Sequence, residues 1–75
     1  MYAYILISLE EPDEREVLEE ISSYKEVVEA HILFGEWDLI VKLELDNPEA
    51  VSNFVIEKLR SLDSVQLTST LVVAE

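Results

Sequence analysis

Apolar positions along the chain fall into short blocks separated by charged or turn-forming residues. Tyr2–Leu9 (YAYILISL) is rich in aromatic and β-branched side chains and is closed at once by Glu10-Glu11-Pro12, which predicts a strand followed by a stop. Pro12 suits the first turn of a helix, and Asp13, Glu14 and Glu16 suit its positive N-terminal end. Val17, Leu18 and Ile21 follow at helical spacing, with the glutamates mostly on the other side, so a helix is predicted over residues 12–23. Residues 26–34 (EVVEAHILF) form a second predicted strand, followed by Gly35, the only glycine. Residues 37–45 (WDLIVKLEL) alternate, with Trp37, Leu39, Val41, Leu43 and Leu45 set against Asp38, Ile40, Lys42 and Glu44. Phe34-Gly35-Glu36-Trp37 therefore reads as a hairpin turn, with Gly35 free to adopt a backbone conformation that costs other residues energy.

A second helix starts at Asp46-Asn47-Pro48-Glu49, with Asn47 as the N-cap and Pro48 in the first turn. Val51, Phe54, Val55, Leu59 and Leu62 lie on one stripe of it. Residues 65–74 (VQLTSTLVVA) make the last predicted strand. The order is β-α-β-β-α-β, two β-α-β units joined by a hairpin. Right-handed crossovers put both helices on one face of a four-stranded antiparallel sheet, the ferredoxin-like α+β arrangement, over residues 1–75 as one domain.

Two helices cover one sheet face only, yet the strands are apolar on both alternating sets. Tyr4 and Leu6 oppose Ile5, Ile7 and Leu9; Ile40 opposes the Trp37 set; Val72 and Ala74 oppose Val65, Leu67, Leu71 and Val73. A sheet face meant for water reads mostly polar, and a bare apolar face is a partner surface. The expectation is a homodimer packed sheet against sheet. With no cysteine the chain has no disulfide to supplement a small core, which favours self-association further.

Composition narrows the function. The 17 Asp+Glu against 5 Lys+Arg give a formal net charge of -12, and Arg15, Lys25, Lys42, Lys58 and Arg60 are scattered, so direct nucleic-acid binding is not expected. No apolar run approaches the roughly 18 residues of a membrane span and no basic leader is present, so a cytoplasmic protein without membrane contact is expected. His31 is the only histidine and sits in mid-strand, where a structural or interface role is the simpler reading. With no cysteine and no second histidine, neither a transition-metal site nor another cofactor is expected, and one glycine excludes the glycine-rich phosphate loops. The runs Glu10-Glu11 and Glu19-Glu20 read as solvated surface, and no catalytic arrangement emerges.

Two local features carry candidate chemistry. In Gly35-Glu36-Trp37-Asp38 a glycine turn presents backbone N–H groups suited to a carboxylate, and Asp38 offers an anion to an ammonium group. The structural alternative is an Asp38 that only bonds backbone at the turn. In Thr68-Ser69-Thr70 the two threonines share a face and present two hydroxyls, against the plain alternative that threonine is a good strand former.

At these places in a β-α-β-β-α-β chain, the two features resemble the effector-binding domain of the leucine-responsive/asparagine-responsive (Lrp/AsnC) regulators, the RAM domain. YAYILISL is similar to the family's first strand, VVEAHILFGEWDLIV to its stretch ending in a G-x-x-D hairpin and an apolar strand, and SVQLTSTLVV to its T-x-T strand. The resemblance implies a dimer through the sheets, assembled further into a ring of four dimers, with a free amino acid bound between subunits. By position, Gly35, Glu36, Trp37 and Asp38 would form the hairpin wall. Asp38 would meet the ligand's amino group and the backbone near Gly35 its carboxylate. Thr68 and Thr70 would add hydroxyls from a neighbouring chain. Phe34 departs from the small hydroxyl residue common before the family's glycine, and with bulky Trp37 it bears on the width of the pocket. The family's helix-turn-helix does not precede the first strand here, so a free-standing effector domain is expected, either an amino-acid sensor or a partner of full-length Lrp/AsnC regulators. A small ferredoxin-like enzyme has only the fold in its favour.

Overall fold

The computed structural model describes residues 1–75. The chain runs β1 (Tyr2–Leu9), α1 (Glu14–Ser22), β2 (Val27–Ile32), β3 (Leu39–Glu44), α2 (Pro48–Phe54) continuing into a π-helical turn (Val55–Leu59), and β4 (Val65–Val72). The strands form one antiparallel sheet in the order β2-β3-β1-β4, the expected ferredoxin-like topology.

Register sorts the side chains onto two faces. Ile5 stands opposite Val41 on one side and Thr70 on the other, and Val41 in turn opposite Ala30. On this face Ala3, Ile5, Ile7 and Leu9 of β1 and Leu39, Val41 and Leu43 of β3 are buried beneath Val17 and Ile21 of α1 and Val51, Phe54, Val55 and Leu59 from α2 and its π turn. Burying an aliphatic or aromatic side chain of this size stabilises by about 1.5–3 kcal/mol, and no polar or charged residue is buried to offset it. Tyr24 packs edge-on against Phe54, ring centroids 5.8 Å apart, tying the end of α1 to α2.

The helix starts differ from each other. Asn47 caps α2 as expected, its side chain accepting the Ala50 N–H at 2.8 Å, with Pro48 in the first turn. In α1 the cap position is Asp13, whose side chain makes no capping bond, so Pro12 lies before the helix rather than inside it. The Asp13 carboxylate is turned toward Ser64, accepting its hydroxyl at 3.3 Å.

Three strands are shorter than the sequence pattern predicts: β2 ends at Ile32, β3 begins at Leu39 and β4 ends at Val72. Residues 34–37 form the turn itself, closed by the Leu33 N–H donating to the Asp38 carbonyl at 2.9 Å. The expected facing of β4 needs correction. Ser8 pairs with Leu67 but Leu9 with Val65, so Gln66 is an extra residue in β4. That bulge turns Val65 onto the helix-covered face with Thr68, Thr70 and Val72, and leaves Leu67, Ser69 and Leu71 on the other.

The uncovered face carries Tyr2, Tyr4 and Leu6 from β1, Ile40 and Lys42 from β3, and Leu67 and Leu71 from β4. Leu67 and Leu71 keep 59% and 52% of their surface exposed, a large apolar exposure for strand residues. Lys42 is the one cation on this face, and its Nζ sits 4.5 Å from the Tyr2 ring centroid and 5.8 Å from that of Tyr4, so its charge rests on aromatic faces. Ser8, Glu44 and Ser69, with Glu29 and His31 of β2, share this face, so the second apolar set expected from sequence is present on β1, β3 and β4 but interleaved with polar residues.

Candidate functional site

The β2–β3 hairpin holds the first set of candidate residues. Gly35 adopts φ +135°, a backbone conformation that L side chains rarely take, and it marks the tip of the turn. Beside it Phe34 projects entirely into solvent, at 106% relative exposure. Glu36 is exposed, while Trp37 and Asp38 are half-buried at the root of the hairpin. Asp38 is fixed at both main chain and side chain. Its N–H donates to the Ile7 carbonyl at 2.9 Å, and its Oδ2 accepts the Leu9 N–H at 2.7 Å. The carboxylate therefore anchors the end of β1, whereas the structural alternative raised from sequence has it bonding the backbone of its own turn. Its Oδ1 makes no hydrogen bond within the chain. A neutral N–H on one oxygen leaves the negative charge intact, so the group can still pair with a cation.

The second set lies elsewhere. Thr68 and Thr70 of β4 share the helix-covered face and line a groove of about 230 Å3 between β4 and α2. Ser52, Ile56 and Arg60 form the opposite wall at four-residue spacing. No hairpin residue reaches this groove, so one chain does not bring Asp38 and the threonines together. Arg60 and Ser52 were missed from sequence. The i, i+4 spacing of Ser52 and Ile56 is a signal for the first two positions of this wall, whereas the place of Arg60 follows from the π-helical turn and leaves no trace in the periodicity.

Other titratable groups form no candidate centre. His31 is exposed on the edge strand β2, its Nε2 3.8 Å from Glu29 Oε2. No cluster of three or more His, Asp or Glu side chains is arranged to hold a metal ion. Glu16 is exposed beside Asp13, whose negative charge, with a hydrogen bond to the protonated form, raises the Glu16 carboxyl above its usual 4.5. Burial, with the Glu20 carboxylate, raises the Tyr24 hydroxyl above its usual 10.0. No helix is long and apolar enough to cross a membrane.

These features define a ferredoxin-like α+β domain with one uncovered sheet face rich in apolar residues and a small groove of mixed polar and apolar lining beside its second helix. The family model of the Lrp/AsnC ligand binding domain matches residues 2–75, and the chain belongs to that family. It is 43% identical over 74 residues to an uncharacterized HTH-type transcriptional regulator of Pyrococcus abyssi, covering 93% of this chain but 49% of that protein. The chain thus spans about half the length of the curated relatives it matches. Among solved structures it resembles FFRP-DM1 at a TM-score of 0.90 and 40% identity, over 96% of each chain. It also resembles a transcriptional regulator of Neisseria meningitidis in complex with L-Met, at a TM-score of 0.86 and 28% identity, over 99% of this chain and 49% of that one. The chain is accordingly a regulatory ligand-binding domain of the Lrp/AsnC type, and relatives that are transcriptional regulators point away from an enzyme.

Proposed function

We propose that residues 1–75 are one amino-acid-responsive regulatory unit whose sensing site is completed only between subunits. One chain supplies Gly35, Glu36, Trp37 and Asp38, and a neighbour supplies Thr68 and Thr70. The observation that carries this reading is the state of Asp38: held by the Leu9 N–H at 2.7 Å, with its second oxygen unbonded. A free amino acid needs an anion for its ammonium group and N–H donors for its carboxylate; Asp38 supplies the anion, and the backbone at the Gly35 turn is the proposed source of the donors. The regulator of Neisseria meningitidis related to this chain was solved with L-Met, which supports an amino acid as the class of ligand.

The uncovered face of β1, β3 and β4 is, on this reading, closed by a second copy of the chain. Pairing the two faces removes Tyr4, Leu6, Ile40 and Leu71 from water. Further contacts through the Phe34 hairpins then join dimers into a tetramer of dimers and bring each Asp38 to a neighbour's threonines. A ligand bridging that seam stabilises the assembly that binds it, which couples amino-acid level to oligomer size. Such a module acts in the cytoplasm, without direct contact to nucleic acid or membrane. Native mass spectrometry with and without a panel of amino acids tests it. A ligand-dependent shift in mass or stoichiometry supports the reading, and twenty amino acids without effect oppose it.

A second reading has its own support. Relatives about twice as long align with this domain, one of them at 43% identity, so a full-length regulator would offer a similar sheet for this one to pair with. The chain would then co-assemble with such a regulator and alter its action with no ligand of its own. Mixing the two and looking for hetero-oligomers by native mass spectrometry separates the readings.

A further inference from the structure

We infer that the groove between α2 and β4 recognises an acidic side chain, so that the effector is an amino acid of the glutamate or aspartate class. This rests on the amino-acid reading above and adds to it the identity of the side-chain subsite.

The groove has an unusual charge for this chain. The chain carries 17 acidic residues, yet no carboxylate lines the groove, and its only charged member is Arg60. Arg60 is exposed and makes no ion pair within 4.0 Å, so its guanidinium is available. Across from it stand Thr68 and Thr70, with Ser52 on its own wall. Val51, Val55, Ile56 and Val72 line the stretch that the aliphatic part of a side chain would cross.

The backbone explains why Arg60 belongs to this wall. Positions four apart on a regular α-helix drift by about 40° per step, so after two steps from Ser52 a side chain would have rotated well off the groove. Here the turn over Val55–Leu59 is π-helical, and the Arg60 N–H bonds to the Val55 carbonyl, five residues back, at 2.8 Å. The wider turn takes back part of the drift and keeps Ser52, Ile56 and Arg60 in one row facing β4. Single π turns inside helices recur at functional sites, and this one shapes the groove directly.

The chemistry then selects among side chains. A guanidinium only donates hydrogen bonds, and hydroxyls donate as readily as they accept. A carboxylate satisfies all of these groups and matches the planar fork of arginine. A cationic side chain meets like charge. A purely apolar one meets Val51, Val55, Ile56 and Val72 but leaves Arg60 and the hydroxyl residues to water, so it gains nothing from them. The volume of about 230 Å3 lies below the range of roughly 300–1,000 Å3 typical of drug-sized ligands and suits one short side chain. The net charge of -12 opposes any anion at long range, but that field is screened beyond about 8 Å at physiological ionic strength, whereas Arg60 acts in contact.

The test is isothermal titration calorimetry with L-glutamate, L-aspartate, their amide counterparts L-glutamine and L-asparagine, and L-leucine. It is run on the unaltered protein, on Arg60→Met and on Arg60→Lys, with circular dichroism to verify folding. The expected result is an acid bound at least about tenfold more tightly than its amide, a preference that Arg60→Met abolishes and Arg60→Lys partly keeps. Equal affinity for acid and amide overturns the inference while leaving the amino-acid reading standing. So does tighter binding of leucine, or an Arg60→Met variant that loses every amino acid alike, since Arg60 would then serve the ligand's common carboxylate. If no amino acid binds the unaltered protein, the sensing function itself fails, and this inference with it.

Discussion

The Asp38 carboxylate accepts the backbone N–H of Leu9 at 2.7 Å, across 29 residues of sequence. One side chain thus locks the root of the β2–β3 hairpin to the end of β1. The same group is the anion assigned to an amino-acid ligand, so its two roles have to be separated by substitution. Asp38→Asn retains an oxygen able to accept from Leu9 and removes the charge. Asp38→Ala removes both. The Ala variant should lose about 1–3 kcal/mol through the orphaned N–H, seen as a melting temperature lower by about 4–8 °C for each kcal/mol in a domain of this size. The Asn variant should melt close to the unaltered protein yet no longer respond to amino acids. An Asn variant that responds normally would remove Asp38 from the site.

Leu71 stands on the uncovered face opposite Tyr4, half its surface open to water. Leu71→Lys places a hydrated ammonium on the β4 side of the proposed seam, at a position half open to water in the single chain. Sedimentation should show a dimer for the unaltered protein and a monomer for the variant, with far-ultraviolet circular dichroism unchanged. Persistence of the dimer would move the interface elsewhere.

Phe34 touches nothing in its own chain, so Phe34→Ser should alter the stability of the folded chain by no more than about 0.5 kcal/mol. Assembly is where the change should register: dimers should remain, and the larger species should be lost in size-exclusion chromatography with light scattering.

Glu16 supplies a pH test. Asp13 raises its carboxyl above 4.5, so the folded state holds that proton more tightly than the unfolded chain does. Stability linked to Glu16 is therefore fully present below the unfolded value and is lost as pH rises through the raised folded one. Nuclear magnetic resonance titration should give Glu16 a midpoint above 4.5, and Asp13→Asn should lower it. Because both groups are exposed, added salt should shrink the difference. A midpoint unmoved by Asp13→Asn would contradict the assigned cause.

The periodicity of the chain carried most of the architecture. β1 has the bounds read from its alternation, and Asn47-Pro48 marks the start of α2, because strand pleat and helix cap each leave a local trace in residue type. The bulge at Gln66 left none: nothing in VQLTST distinguishes an extra residue from continued alternation, and so Val65 was expected on the wrong face. Asp13 reads as an acidic residue within the first turn of α1, but it stands at the cap position and its carboxylate turns to Ser64, which is 51 residues away in the chain. Of the candidate site, Gly35 and Asp38 were legible through turn chemistry and Thr68 and Thr70 through the two-residue period. Arg60 was not, since its place facing β4 depends on a π turn that helix periodicity does not encode.

The most direct measurement is native mass spectrometry of the unaltered protein at micromolar concentration, first alone and then with amino acids. Even-numbered assemblies of the chain should dominate, and an acidic amino acid should shift them toward higher order with ligand retained. A spectrum of single chains, indifferent to every amino acid added, would contradict both the paired sheets and the site built between them.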